Sequence, residues 1–155
     1  MRTLIIYTSV HHGNTGKVAQ AMAGALGADM VDAAGAEPGL IDHYDLIGFG
    51  SGIYHGRHHQ TLFRFVEMLP AVDGTLAFVF STSGRGVAQD HTALKQVLEA
   101  KGFWIVGDFV CKGWDTYTVL GLVGGINKGR PDARDLAHAA AFADDLARHW
   151  GDAGR

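Results

Sequence analysis

The segment Thr8-Ser9-Val10-His11-His12-Gly13-Asn14-Thr15 gathers hydroxyls, imidazoles and a glycine between two periodic runs. Before it, Leu4-Ile5-Ile6-Tyr7 has the pattern of a buried strand; after it, Val18, Met22, Ala25 and Leu26 recur at helical spacing. A glycine-containing loop therefore leads into a helix, with Asn14 and Thr15, both good N-cap types, where the helix begins. Unpaired N–H groups and the positive end of the helix dipole make such a place a natural phosphate cradle. Two more loops carry polar chemistry. Ser51-Gly52-Ile53-Tyr54-His55-Gly56-Arg57-His58-His59 has small residues that admit a flat ligand close to the backbone, and Tyr54 either stacks on that ligand or packs against its own loop. Ser81-Thr82-Ser83-Gly84-Arg85-Gly86 offers hydroxyls and amides to a polar ring edge, or else forms an ordinary turn with Arg85 in solvent.

The elements that must position these loops alternate along the chain. Strand patterns cover 4–7, 28–33, 44–50, 76–80 and 103–111, and they are apolar on both faces, as parallel strands covered by helices should be. Periodicity predicts helices over 14–26, 59–69, 90–101 and 132–149, with Asp90 and Asp132 as N-caps, and at most a short helix in 34–43. Five such units predict an α/β fold, an open doubly wound five-stranded parallel sheet with helices on both faces. In the strand order 2-1-3-4-5 a ligand sits beside the carboxyl ends of strands one and three, where the three polar loops emerge.

Composition narrows the function. The chain has 155 residues, 47% of them hydrophobic, which suits one domain spanning 1–155 with a substantial core. A formal charge of -3 argues against a nucleic-acid partner. No apolar run is long enough to predict a membrane span. A start without signal-peptide grammar and a single cysteine, Cys111, fit a reducing cytoplasm. Five of the nine histidines, His11, His12, His55, His58 and His59, fall in two of the loops, but no cysteine or carboxylate beside them completes a metal-ligand set. A Walker A loop fails, because His11 and Val18 occupy its first glycine and final hydroxyl positions. A phosphoacceptor receiver fails for want of acidic residues after strands one and three. No Gly-x-Gly-x-x-Gly follows the first strand.

Gly13-Asn14-Thr15, Gly50-Ser51-Gly52-Ile53-Tyr54 and Ser81 to Gly86 together resemble the flavodoxin-like family over nearly the whole chain. The resemblance implies an FMN cofactor. Ser9, Val10, His11, His12, Gly13, Asn14 and Thr15 would hold its phosphate. Ser51, Gly52, Ile53, Tyr54 and His55, with Ser81, Thr82, Ser83, Gly84, Arg85 and Gly86, would enclose the isoalloxazine. Val10, His11 and His12 stand where the family usually has Ser or Thr, so imidazole N–H groups would replace hydroxyls there. Gly124-Gly125-Ile126-Asn127-Lys128-Gly129-Arg130-Pro131 also resembles a bacterial and archaeal flavodoxin subgroup. Gly50, Ile53, Gly56 and His59 resemble a skeleton shared with flavodoxin-like protoporphyrinogen oxidases. The expected function is electron transfer with redox partner proteins or a small planar acceptor. The alternatives are an oxidoreductase acting on a quinone or porphyrinogen, and a non-redox interaction module of the same fold. The glycine-rich stretch 114–126 reads as a loop closing over the sheet end, or as an exposed lid or docking surface.

Overall fold

The computed structural model describes residues 1–10, 12–115 and 125–152. Its elements are β1 (Thr3–Thr8), α1 (Asn14–Leu26), β2 (Asp29–Asp32), a 3-10 turn (Pro38–His43), β3 (Leu46–Tyr54), β4 (Arg57–His58), α2 (Gln60–Met68), β5 (Leu76–Ser83), a second 3-10 turn (Ala88–His91), α3 (Thr92–Ala100), β6 (Trp104–Lys112) and α4 (Ala133–Trp150). The main sheet is parallel in the order β2-β1-β3-β5-β6, with β4 antiparallel on β3. Leaving out β4, this is the order 2-1-3-4-5.

Both faces of the sheet are apolar because both are covered. Ile47, Phe49, Ala77 and Val79 meet α2 and α3 on one side; Ile5, Leu46, Phe78 and Phe80 meet α1 and α4 on the other. Two glycines in β3 make the second layer possible. A Cβ at Gly48 or Gly50 would come within 2.3 Å of the Phe78 or Phe80 ring on the neighbouring strand. The rings therefore lie flat across β3 where a side chain would have stood.

Three boundaries differ from the sequence expectation. The stretch after the third strand is a hairpin: β3 continues to Tyr54, His55 and Gly56 turn with positive φ (52° and 76°), and Arg57 returns opposite Tyr54. Two successive left-handed residues form the turn whose twist matches paired strands. Asn14 and Thr15 begin α1 but do not cap it; its N-cap is Gly13, with φ 68° and no side-chain cap. Asp90 lies in the second 3-10 turn, bonded to Arg85, and His91 precedes α3. Asp132 does cap α4, in a capping box with Asp135.

Candidate functional site

The three loops meet at the carboxyl ends of β1, β3 and β5. Each strand fixes the direction of its last side chains by the period-2 alternation. Thr82 shares a face with Phe78 and Phe80 and so points toward α1, where its hydroxyl lies 2.7 Å from that of Thr15. One hydrogen bond between two hydroxyls leaves one O–H free to donate. Ser9 accepts from the Gly16 amide at 3.0 Å. The amides of Asn14 and Thr15 have no hydrogen-bond partner among the described residues, as expected where a helix starts on an uncapped glycine. His12 and Gly13, both with positive φ, turn the loop just ahead of them.

The wall opposite comes from residues the loop motifs did not single out. The Asn14 side-chain amide donates to the Trp114 carbonyl at 2.9 Å. A Cβ at Gly113 would sit 2.6 Å from that amide nitrogen, so this approach needs glycine. Trp114 stacks on the His12 ring at 3.8 Å. The chain then returns: Asp115 and Ile126 form an antiparallel bridge, and Asn127 donates to the Gly84 carbonyl at 3.0 Å. The 125–131 segment thus fastens down the loop after β5, a role its sequence alone did not disclose. His11 and 116–124, including Val119-Leu120-Gly121-Leu122-Val123, lie outside the described residues.

Between these walls is a pocket of about 40 Å³ lined by Val10, Thr15, Gly52, Tyr54, Thr82 and Trp114, among others. Tyr54 narrows it. Its ring lies along β3, 3.2 Å from where a Cβ of Gly52 would be, and meets the His59 ring edge-on at 5.0 Å. Ser51 points away, accepting from the His59 amide and donating to the Gly52 carbonyl. Ser83 accepts from Gly86 N and closes the β5 turn. His55 is exposed at the hairpin tip. Arg85 does not offer a free charge to the site, since Asp90 holds it at 2.6 Å. Sequence spacing had put no carboxylate beside Arg85; the 3-10 turn brings Asp90 back to it.

A buried polar layer lies beneath the hairpin, on the α2 and α3 side. Thr8, Ser51 and Ser81 stand in register on neighbouring strands. The Ser81 hydroxyl is 2.6 Å from His91 Nε2, His91 Nδ1 is 2.5 Å from Asp108, and Lys95 pairs with the other Asp108 oxygen. The order resembles a nucleophile, base and orienter. Ser81 is fully buried within the sheet, however, so the arrangement works as a strut holding the end of β5. Burial alone would raise the Asp108 carboxyl, but the hydrogen bonds from His91 and Lys95 outweigh it and hold the group below its usual range. His58 donates from Nε2 to the Phe80 carbonyl, and its Nδ1 has no partner. Burial, with His91 beside it, pushes the His58 imidazole down to about 3. The loop motifs had named Thr8, Ser51, His58 and Ser81, with Ser51 and Ser81 expected at the cofactor; their partners His91, Lys95 and Asp108 were not singled out, because each comes from a different, later element. Among the described residues no group of three or more His, Cys, Asp or Glu is arranged to hold a metal, and no helix is long and apolar enough to cross a membrane.

The fold and this loop cluster define the flavodoxin class of α/β protein. The chain belongs to the flavodoxin domain family, whose model matches residues 4–114. It is 42% identical over 151 residues to the uncharacterized protein MJ0298 of Methanocaldococcus jannaschii, covering 96% of this chain and 100% of that relative. Its fold is similar to that of a flavodoxin from the domain Archaea, with TM-score 0.73 and 12% identity over 96% of this chain and 98% of the other. A flavodoxin of Streptococcus pneumoniae matches with TM-score 0.70 and 15% identity, over 96% and 99% of the two chains. The flavodiiron core Flv1 of Synechocystis matches 99% of this chain with TM-score 0.70 and 17% identity, the match spanning 36% of that longer protein.

Proposed function

We propose that this chain is an FMN-binding electron-transfer protein of the flavodoxin type. It would work in the cytoplasm with redox partner proteins or a small planar electron acceptor. The observation that carries the reading is the uncapped start of α1, where the amides of Asn14 and Thr15 are unbonded among the described residues and Thr15 is tied to Thr82 of the facing loop. Such a start suits a phosphate monoester, and a single cradle suits FMN over a dinucleotide. When bound, the flavin supplies the redox chemistry, and the protein supplies binding, orientation and a dry surrounding. Thr15, Asn14 and the first-turn amides would hold the phosphate; Gly52, Tyr54, Thr82 and Ser83 would border the rings. The 40 Å³ pocket is far below the volume of about 300 Å³ or more that a bound small molecule usually takes. A three-ring system would enter only if this lining opened, and a swing of Tyr54 off Gly52 would open it.

The test is an absorption spectrum of the purified chain followed by mass spectrometry of the released cofactor. FMN is the expected product. FAD, or a chain that stays colourless with excess FMN, would refute the reading. A larger groove on the other side of Tyr54 favours a second reading, a flavin-dependent oxidoreductase with a small planar substrate. Steady turnover with a diffusible acceptor, faster than with any protein partner, would select it.

A further inference from the structure

The hairpin has a second side. Between β4 and α2 lies a groove of about 590 Å³ bounded by Tyr54, Arg57, His58, Phe63, Arg64 and Glu67. That volume is within the range of small-molecule sites, roughly 300–1,000 Å³. Two observations mark the groove as more than a surface crease. Arg57 lies with its guanidinium carbon 4.1 Å over the centre of the Phe63 ring, which fixes a normally mobile side chain while leaving its N–H edge available. Neither Arg57 nor Arg64 makes an ion pair with a described residue. Independently, the wall contains His58, 2% exposed, whose Nδ1 is a buried acceptor without a donor. A buried polar atom left unpaired costs stability and calls for an explanation.

The charges specify the ligand. Two guanidiniums from adjacent elements favour a carboxylate, sulfonate or phosphate. Glu67 follows Arg64 by three residues on the same helix and lines the same groove, so a second anionic group would face a carboxylate. Tyr54 and Phe63 supply aromatic surface. From this geometry we infer that the groove binds a flat aromatic molecule bearing one anionic group, held between Arg57 and Arg64 with its ring toward Tyr54. The ligand's role as electron donor or acceptor rests on the flavin reading, since Tyr54 separates this groove from the loop cluster; its binding does not.

The test uses the full chain as purified, and again after saturation with FMN, with three naphthalene probes: naphthoate (one charge), naphthalenemethanol (none) and naphthalenedicarboxylate (two). Calorimetry should find naphthoate about tenfold tighter than the neutral probe, the scale of one charged hydrogen-bonding contact. Arg64→Gln should abolish that preference and Arg64→Lys should keep part of it. Glu67→Gln should bring the dianion up to the monoanion. Arg64 is exposed on α2, so the test stands on Arg64→Gln even where Arg57→Gln disturbs the hairpin. Equal affinities for naphthoate and naphthalenemethanol, or an unchanged preference in Arg64→Gln, would overturn the assignment. A chain that discriminates the probes yet takes no FMN keeps the groove and loses the redox reading; one that takes FMN and shows no preference does the reverse.

Discussion

Thr15 joins two loops through one hydroxyl, 2% exposed, and sits on the first turn of α1. Thr15→Ala removes both the tie to Thr82 and a donor beside the proposed phosphate. FMN affinity should fall by about 1 kcal/mol or more, read by quenching of flavin fluorescence on titration, with Thr15→Ser close to the parent. Riboflavin, lacking the phosphate, should bind much more weakly than FMN; equal affinities would show that the helix start does not hold the cofactor. Tyr54 answers a different question. The sequence left it either on a ligand or on its own loop, and the structure has it folded over Gly52. Swinging out to stack on a flavin would quench the flavin's emission, so Tyr54→Ala should brighten the bound flavin. The same change opens the pocket, so FMN association in a stopped-flow experiment should become faster while the complex becomes weaker. Unchanged emission would mean that the ring stays on Gly52 throughout. His58 and His91 mark the limit of reading residues singly. In the sequence His58 falls in a polar loop and His91 in the first turn of an expected helix, and only the crossing of β4, β5, β6 and the second 3-10 turn buries them.

Elements were the most legible level. Apolar runs identified the parallel strands, most clearly β1, β3 and β5, which are covered on both sides, whereas β2 is a short, largely exposed edge strand. The four helices followed from a 3.6-residue period and begin within about two residues of expectation, the usual spread of helix boundaries. What was lost was local turn chemistry. The His55-Gly56 hairpin turn needs a positive φ at a histidine, a cost that sequence does not display. Gly13 displaced the expected side-chain caps that follow it because the left-handed conformation at the helix entry suits glycine better than Asn or Thr. Asp90 was drawn away from capping by Arg85. The site was legible as three loops at one sheet end, whereas its Trp114 wall depends on contacts about a hundred residues away from Asn14. Asp132 carries the cap that the sequence predicted: it accepts from Asp135 N at 2.9 Å, and Asp135 returns the bond at the same distance. Asp132→Ala should lower the unfolding free energy by about 1 kcal/mol, read from the urea midpoint at unchanged slope. Asp135→Ala should cost more, because Arg130 also bonds to that carboxylate, at 2.5 and 2.6 Å.

At the scale of the whole molecule, the buried polar layer makes stability depend on pH in one direction. His58 titrates at about 3 in the folded chain against about 6.5 when unfolded, because burial, with His91 alongside, penalises its charged form. Between those values the unfolded chain holds a proton that the folded chain refuses. Stability therefore falls as pH drops from 6.5 toward 3, with a slope from this one group of up to about 1.4 kcal/mol per pH unit, and is untouched by His58 above pH 6.5. Asp108 adds to the same side. Its folded carboxyl is held below the usual range, so its contribution is intact above the ordinary carboxylate value and is lost below it as the folded group takes a proton. The two losses occur in sequence, first the imidazole and then the carboxylate. Since β4 and β6 hang on this layer, the hairpin and the loop after β5 should loosen together with it. Urea unfolding at pH 7 and at pH 5 measures the first loss. His58→Gln retains an N–H to offer the Phe80 carbonyl but cannot take up a proton in this range, so its stability should change less between the two pH values than the parent's. Equal changes in the two proteins would mean that His58 already meets solvent in the folded state and that the layer beneath the hairpin is open.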